Sequence, residues 1–215
     1  AMGAHVADSP SHQTLRDTPF YTRFNAAAFG CLGYELDVNR LSYAQRREVR
    51  RQIAFYREHR KALQYGTFFR GDEGRGNQTV WQCIDRDRAR GVGGFFQTLS
   101  EPGGKFDRLR LYGLDPERMY RVETMLQSMF IRRFGSLVSY ALPLRLRPDG
   151  WLFEKINRLY AMKENVESYR GDGRLLEHGI QLNNQFTGTG YYNNLRLLGD
   201  YGSNLYTIEA EETSA

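Results

Sequence analysis

The chain has 215 residues, of which 40% are hydrophobic and 13% aromatic, and it carries a formal net charge of +5 with a pI near 9.2. This apolar content is enough for a packed core and excludes a disordered tail. The apolar runs are far shorter than the ~18 residues of a membrane-spanning helix, which excludes a transmembrane class. The length allows one large domain, or a smaller one with part of another.

The first elements in chain order are a strand and a helix. Residues 3–7 form a short apolar stretch that ends at turn-forming residues, which indicates a strand. Thr18 followed by Pro19 is typical of a helix start, because Thr caps well and Pro gives up an N–H that has no partner. The pattern therefore predicts a helix over residues 20–29, with Gly30 able to end it.

A second strand and helix follow. Residues 31–36 predict a strand, and Ser42 with Gln45 three residues later forms a capping box that begins the longest helix. One stripe of this helix is mostly apolar, and most of its arginines lie off that stripe. The stripe consists of Val49, Ile53, Tyr56, Arg60 and Leu63. A β-α-β-α series with short connections is typical of parallel sheets and βα barrels, and two such units cannot close a barrel of eight.

From residue 66 onward the helical period largely disappears. Short alternating stretches separated by Gly- and Asp-containing turns predict an antiparallel β-sandwich. The candidate strands are residues 67–70, 79–84, 93–99, 108–112 and 204–209. Residues 124–170 stay open, because the apolar segment 126–144 fits a strand or a helix equally well.

Cysteine and histidine spacing provides no metal site. Cys31 and Cys83 have neither metal-ligand nor redox spacing, and none of the four histidines pairs with another at i, i+4. We expect both cysteines to be free, buried thiols of a cytoplasmic protein, although one disulfide is possible in principle. We expect no metal and no other cofactor.

Several segments, in chain order, resemble glycoside hydrolase family 36 α-galactosidases of bacterial type (melibiases). The strings are residues 2–6 (MGAHV), 10–16 (PSHQTLR), 29–37 (FGCLGYELD), 53–60 (IAFYREHR), 108–116 (RLRLYGLDP), 120–122, 188–191 and 198–206 (LGDYGSNLY). The family's loop usually reads Asn-His-Gln-Thr-Gly-Arg, whereas Ser11 and Leu15 replace the Asn and the Gly here. If that Gly has a positive φ, Leu15 must relax the turn.

The resemblance implies an α/β plus all-β fold. Residues 1–65 would be the last two βα units of a (β/α)8 catalytic barrel, and residues 66–215 an antiparallel β-sandwich domain. The family hydrolyses terminal α-galactosyl residues with retention, using two aspartates upstream of the segment that matches residues 2–6. No residue of this chain matches either motif, so we assign no catalytic residue here and expect this chain alone to be inactive.

The resemblance leaves three residues as candidates for the pocket. Loops after barrel strands face the active site, so His5, Asp8 and His12 would line the pocket or order a neighbouring loop. The structural alternative, a satisfied histidine or a turn-capping aspartate, is favoured for each. Glu35 and Asp37 likewise fit capping positions before the long helix.

Partners follow from the same resemblance. We expect α-galactoside oligosaccharides as ligands of the parent barrel, a homo-oligomeric parent, and no membrane. An independent carbohydrate-binding β-sandwich is the alternative function, with Trp151 and residues 191–194 as an aromatic platform, although scattered aromatics are usually core. Residues 188–190 fit a hairpin turn better than a phosphate loop.

The arginine-rich long helix suggests nucleic-acid binding as a further alternative. Glu48 and Glu58 offset part of the positive charge of this helix, and no pattern of stacking aromatic residues accompanies it. We therefore expect no nucleic-acid partner.

Overall fold

The structure is a computed structural model that describes residues 2–72, 76–101, 106–137, 150–164, 166–186 and 194–211. The predicted hairpin turn at residues 188–190 and the aromatics Tyr191 and Tyr192 lie outside these residues. So do residues 138–144 of the apolar segment 126–144.

The chain begins with two strand–helix units. Strand β1 (Gly3–Ala7) is followed by helix α1 (Phe20–Ala27), and strand β2 (Cys31–Glu35) by helix α2 (Tyr43–Tyr65), with a short 3-10 turn at Val38–Arg40 before α2. β1 and β2 pair in parallel, with Gly3 opposite Cys31 and Ala7 opposite Glu35. The predicted β-α-β-α order and the parallel pairing are therefore present.

The start of α1 differs from the prediction. Pro19 itself is the N-cap, and no side chain caps the first turn, so Thr18 does not cap the helix. The Thr18 backbone N–H instead donates to Ser9 Oγ at 3.1 Å, which fixes the end of the preceding loop. The helix also ends at Ala27, with Ala28 as its C-cap, before Gly30 is reached.

Helix α2 begins as predicted, and its buried face extends beyond the apolar stripe. Ser42 and Gln45 form the reciprocal capping box. The apolar stripe lies at the edge of the buried face: Leu63 is buried and Val49 and Tyr56 pack against the same cluster, whereas Arg60 is exposed. The buried positions are Ala44, Glu48, Gln52, Phe55, His59, Ala62 and Leu63. Apolar periodicity cannot detect this face because three of its seven residues are polar.

After α2 the chain forms one six-stranded antiparallel sheet. Its members are β3 (Thr67–Asp72), β4 (Gln78–Ile84), β5 (Arg90–Gln97), β7 (Met119–Thr124), β10 (Ser168–Asp172) and β12 (Ser203–Ala210). They lie in the order β10-β7-β12-β5-β4-β3. The C-terminal strand β12 lies inside the sheet, between β7 and β5.

Smaller elements complete the described part. Strand β6 (Arg108–Leu109) pairs with β11 (Ile180–Gln181), and β8 (Ser128–Met129) pairs with β9 (Met162–Lys163). The segment that the sequence left open contains 3-10 turns at Ile131–Leu137 and helix α3 (Trp151–Leu159). A further short helix, α4 (Gly173–His178), follows β10.

Alternation along the strands buries both faces of the six-stranded sheet. One face, with Phe95, Tyr206 and Ile208, packs against a layer built by the β6–β11 pair, α4 and adjoining segments. The opposite face, with Val92 and Leu205, packs against residues of α1 and α2. Within the described residues, the layer opposite the helices contains a two-stranded sheet, so the two layers of the β-domain are unequal in size.

The cysteines and the membrane expectation have simple outcomes. Both thiols are free, as expected, but Cys31 is exposed and only Cys83 is buried. Cys31 is the first residue of β2 and its thiol donates to Gln64 Oε1 at 3.5 Å, whereas Cys83 belongs to the cluster between the sheet and the helices. Among the helices of the described residues, none is long and apolar enough to cross a bilayer.

Candidate functional site

The parallel pair of β1 and β2 has one uncovered face, which carries one histidine and one carboxylate. His5 and Glu35 both lie on this face, and His5 Nδ1 is 3.7 Å from Glu35 Oε2. The His5 ring lies directly over Gly33, where an added Cβ would be 2.5 Å from His5 Cδ2. Glycine at position 33 is therefore needed for this orientation of the imidazole.

The other face of the pair is apolar and packed. Val6 is fully buried in a cluster with Phe24, Ala28 and Phe55 of the two helices. Since neighbouring residues on a strand point to opposite sides, burial of Val6 directs His5 away from the helices. The pair thus presents a small, polar face on one side and a helix-packed face on the other.

Asp8 is the first residue after β1 and is exposed. Its charge lies near Arg23 of α1, whose guanidinium donates to the Ala7 carbonyl oxygen. Burial lowers the pKa of Arg23, and the charges of Asp17 and Asp8 act in the opposite direction. The position of Asp8 near Arg23 supports a structural role, in which its carboxylate interacts electrostatically with the helix that follows.

His12 lies in the loop that joins β1 to α1, residues 8–19, which we call the β1–α1 loop. It is exposed, as is most of the loop around it. Ser11 closes the loop: its N–H donates to the Arg16 carbonyl at 2.9 Å, and its carbonyl accepts from Leu15 N–H at 2.7 Å. No hydrogen bond or ion pair joins His5, Asp8 and His12 to one another within residues 2–72. Their lining of a sugar pocket stays a prediction.

Leu15 contradicts the expectation that the turn relaxes. Its φ is 55°, in the left-handed region that glycine adopts without strain. The side chain is 81% exposed, so no burial compensates the backbone conformation. The loop therefore keeps a left-handed residue at the position where the family usually has Gly.

Sequence reasoning missed the contacts that join this loop to the β-domain. The Arg16 guanidinium carbon lies 4.6 Å from the ring centroid of Tyr201, in the turn before β12. Arg133 donates to Tyr21 Oη at 3.1 Å and to the Asp200 carbonyl at 2.9 Å. Arg16 and Tyr201 both belong to segments that resemble the family, but nothing in either segment indicates that they meet.

A buried polar set joins α1 to the β-domain. Asn25 donates to Ser203 Oγ at 2.9 Å and to Gln127 Oε1 at 3.2 Å, and Gln127 in turn donates to Glu164. Burial raises the pKa of Glu164, while hydrogen bonds from the Leu197 N–H and from Gln127 act to lower it. The set fixes the position of α1 relative to β12 through directional bonds rather than by apolar packing alone.

A second buried set lies within the β-domain around Arg196, whose side chain is 2% exposed. Its guanidinium pairs with Asp107, lies 3.9 Å from Glu167, and donates to the Asn183 carbonyl at 2.8 Å. Glu167 also accepts from Tyr206 Oη at 3.0 Å. Each buried charge has an opposite charge or hydrogen-bond donors beside it, which indicates a structural set rather than a reactive one.

Two other features concern a metal site and an aromatic platform. In the part of the chain that the structure describes, no three His, Cys, Asp or Glu side chains are grouped so as to hold a metal ion. Trp151 is the first residue of α3, is 77% exposed, and is in none of the described aromatic pairs. The proposed partners Tyr191 and Tyr192 of an aromatic platform lie outside the described residues.

Comparison with known proteins accounts for this arrangement. Residues 1–66 match the melibiase family, and residues 78–208 match the glycosyl hydrolase family 36 C-terminal domain. The chain is 37% identical over 124 residues to α-galactosidase AgaA of Geobacillus stearothermophilus, covering 57% of this chain and 17% of the relative. It is 33% identical over 120 residues to Mel36A of Lactobacillus acidophilus, covering 56% of this chain and 16% of that protein.

Solved structures agree with the sequence comparisons. The α-galactosidase of Lactobacillus brevis matches with a TM-score of 0.67 at 25% identity, over 100% of this chain and 23% of that one. A doubly substituted variant of Geobacillus stearothermophilus AgaA in complex with raffinose matches with a TM-score of 0.66 at 26% identity, over 98% of this chain and 22% of that one. The chain thus spans less than a quarter of the length of these relatives. It belongs to glycoside hydrolase family 36 and carries that family's C-terminal domain behind a melibiase segment.

Proposed function

We propose that this chain is the C-terminal part of a retaining exo-α-galactosidase that removes terminal α-galactosyl residues from oligosaccharides. The observation that carries the proposal is the family match at both ends of the chain, on a structure with the expected parallel strand pair and antiparallel β-domain. Relatives that contain such a segment are named α-galactosidases, and AgaA has been solved with raffinose and with stachyose.

In this proposal β1 and β2 are the last two strands of an eight-stranded barrel. Their uncovered face, with His5 and Glu35, would face the barrel interior, and the β1–α1 loop would lie at the mouth. The barrel portion would comprise residues 1–65 and the β-sandwich domain residues 66–215. Asp8 and His12 would border the pocket from the loop, although the charge of Asp8 near Arg23 favours a structural role.

The chemistry would come from outside this chain. Retention needs a nucleophilic carboxylate and a second, acid/base carboxylate about 5 Å from it. No residue here matches the family's catalytic motifs, and the one carboxylate on the uncovered face of the described strand pair, Glu35, is beside His5. The contribution of this chain would be to close the barrel and to support it. We further propose that the parent is a cytoplasmic homo-oligomer, on the support of the two free thiols and of the family respectively.

The test is hydrolysis of 4-nitrophenyl α-galactoside by the purified 215-residue chain and by the same reading frame extended upstream. We expect no turnover by the chain and clear turnover, with retention, by the extended protein. Turnover by the chain alone would overturn the assignment of both carboxylates to the upstream part. An inactive extended protein that is retained on raffinose affinity gel would instead support a carbohydrate-binding module.

A further inference from the structure

The β1–α1 loop is held from outside as well as by its own hydrogen bonds. Internally, Ser11 bonds to Leu15 and Arg16 close residues 11–16 into a tight turn. One residue of the loop also contacts the β-domain: the Arg16 guanidinium lies over the Tyr201 ring, 4.6 Å from its centroid. A cation at this distance from an aromatic face is attracted by the ring quadrupole.

Tyr201 is presented to the loop by a tightly bonded turn. The turn contains Gly199 with φ 63° and Tyr201 with φ 53°, and Gly202 N–H donates to the Gly199 carbonyl at 3.1 Å. The Tyr201 N–H donates to the Thr98 carbonyl at 2.8 Å, which fixes the turn to the end of β5. A left-handed conformation is unfavourable for tyrosine, so this turn keeps its ring at the loop despite a backbone cost.

The first turn of α1, which continues the loop, is fixed to the same segment of the β-domain. Tyr21 is 2% exposed, and its hydroxyl donates to the Leu198 carbonyl at 3.0 Å while accepting from Arg133. Arg133 also donates to the Asp200 carbonyl, so one guanidinium bridges α1 and the turn that carries Tyr201. Burial is the largest influence on the Tyr21 pKa and raises it, which keeps the hydroxyl protonated as a donor.

We propose that Tyr201 and Arg133 are positioning residues of the β-domain, which set the conformation of the β1–α1 loop through Arg16 and Tyr21. That loop borders the sugar pocket in the function proposed above. The inference therefore has two parts: the β-domain positions the loop, and the positioned loop shapes the pocket. The second part rests on the proposed function. The β-domain then shapes one wall of the pocket without touching the reacting atoms. Neither residue would act as a catalytic residue.

The test is hydrogen exchange of the amides of Ser11 and Leu15, measured on the full 215-residue chain by NMR. Tyr201→Leu removes the aromatic face while keeping a side chain at the same φ, and Tyr201→Phe retains the face as the matched control. We expect Tyr201→Leu to accelerate both amides about three-fold to five-fold, which corresponds to the strength of an exposed cation–π contact. Tyr201→Phe is expected to leave them unchanged, since the described contacts include no hydrogen bond from the Tyr201 hydroxyl.

The amides of α2 distinguish positioning from general stability. Unchanged loop amides in Tyr201→Leu would overturn the proposal, and so would equal acceleration of loop and α2 amides. Arg16→Met tests the same contact from the exposed side, where misfolding is not a concern, and should reproduce the acceleration. This readout uses no substrate, so it fails or succeeds independently of the α-galactosidase assignment.

The effect of the loop on the pocket is measured in the upstream-extended protein. Tyr201→Leu is expected to raise KM for raffinose several-fold with kcat within two-fold of the parent, because the loop would contact substrate without taking part in bond cleavage. An unchanged KM together with accelerated exchange of the loop amides would overturn the effect on the pocket but would still support the contact between Tyr201 and the loop. An inactive parent would overturn the proposed function instead.

Discussion

Replacing Leu15 with Gly should stabilise the protein, although it removes a large hydrophobic residue. Leu15 has φ 55°, and a non-glycine residue in this region costs about 1–2 kcal/mol. Glycine relieves that cost but loses more chain entropy on folding, about 0.4–1 kcal/mol. Because the side chain is 81% exposed, little burial is lost. The net expectation is a gain of about 0.5–1 kcal/mol in the free energy of unfolding.

Urea denaturation followed by far-ultraviolet circular dichroism measures this gain. In a chain of this size it corresponds to a rise in Tm of about 1–4 °C. Leu15→Ala is the matched control, because it shortens the side chain but keeps a Cβ at the same φ, and it should be no more stable than the parent. If Leu15→Gly were neutral or destabilising, the left-handed strain would not exist in solution. If Leu15→Ala gained as much, the side chain rather than the backbone would be responsible.

Three further predictions concern the buried charges, the helix cap and the thiols. Arg196→Met should lower the free energy of unfolding by about 3–5 kcal/mol in urea denaturation, because it leaves the buried Asp107 carboxylate without its cation. Arg174→Met, which removes an exposed ion pair, should lower it by less than about 1 kcal/mol. Similar losses in the two variants would contradict this contrast. Ser42→Ala should cost about 1 kcal/mol in urea denaturation by removing the α2 cap, and an unchanged midpoint would show that the cap adds nothing. Iodoacetamide at pH 8 should label Cys31 alone, as mass spectrometry can show, because Cys83 is buried with its pKa raised to about 11; two labels on folded protein would refute its burial.

The local parts of the fold were predictable from the sequence because their signals are local. The capping box of Ser42 and Gln45 fixed the start of α2, and the short apolar stretches gave the bounds of β1 and β2 closely. The buried face of α2 was not predictable from apolar period. Glu48 there pairs with Arg51 at 3.0 Å, and Gln52 accepts from Tyr34 Oη at 2.9 Å. These polar residues are buried because of partners that periodicity does not register.

The candidate site divides in the same way. That His5 and Glu35 share one face follows from strand alternation once the parallel register is known, and the sequence placed both residues on the correct strands. The contacts of Arg16 with Tyr201 and of Arg133 with Tyr21 join residues that are more than 100 positions apart in the sequence. No local pattern encodes such a contact, because neither partner is unusual in its own segment.

Two βα units cannot close a barrel of eight, so residues 1–65 in isolation would leave apolar helix faces uncovered. In this chain the six-stranded sheet covers those faces: Phe24 and Phe55 of the helices share one apolar cluster with Val92 and Leu205 of the sheet, and with Val6 of β1. The two helices therefore pack against both the β1–β2 pair and the six-stranded sheet. The β-domain covers helix surface that would otherwise be exposed to solvent. Burial on both sides makes the helix positions depend on the β-domain. It follows that the β-domain can influence the strand pair through packing against the shared helices, in addition to its direct contact with the β1–α1 loop.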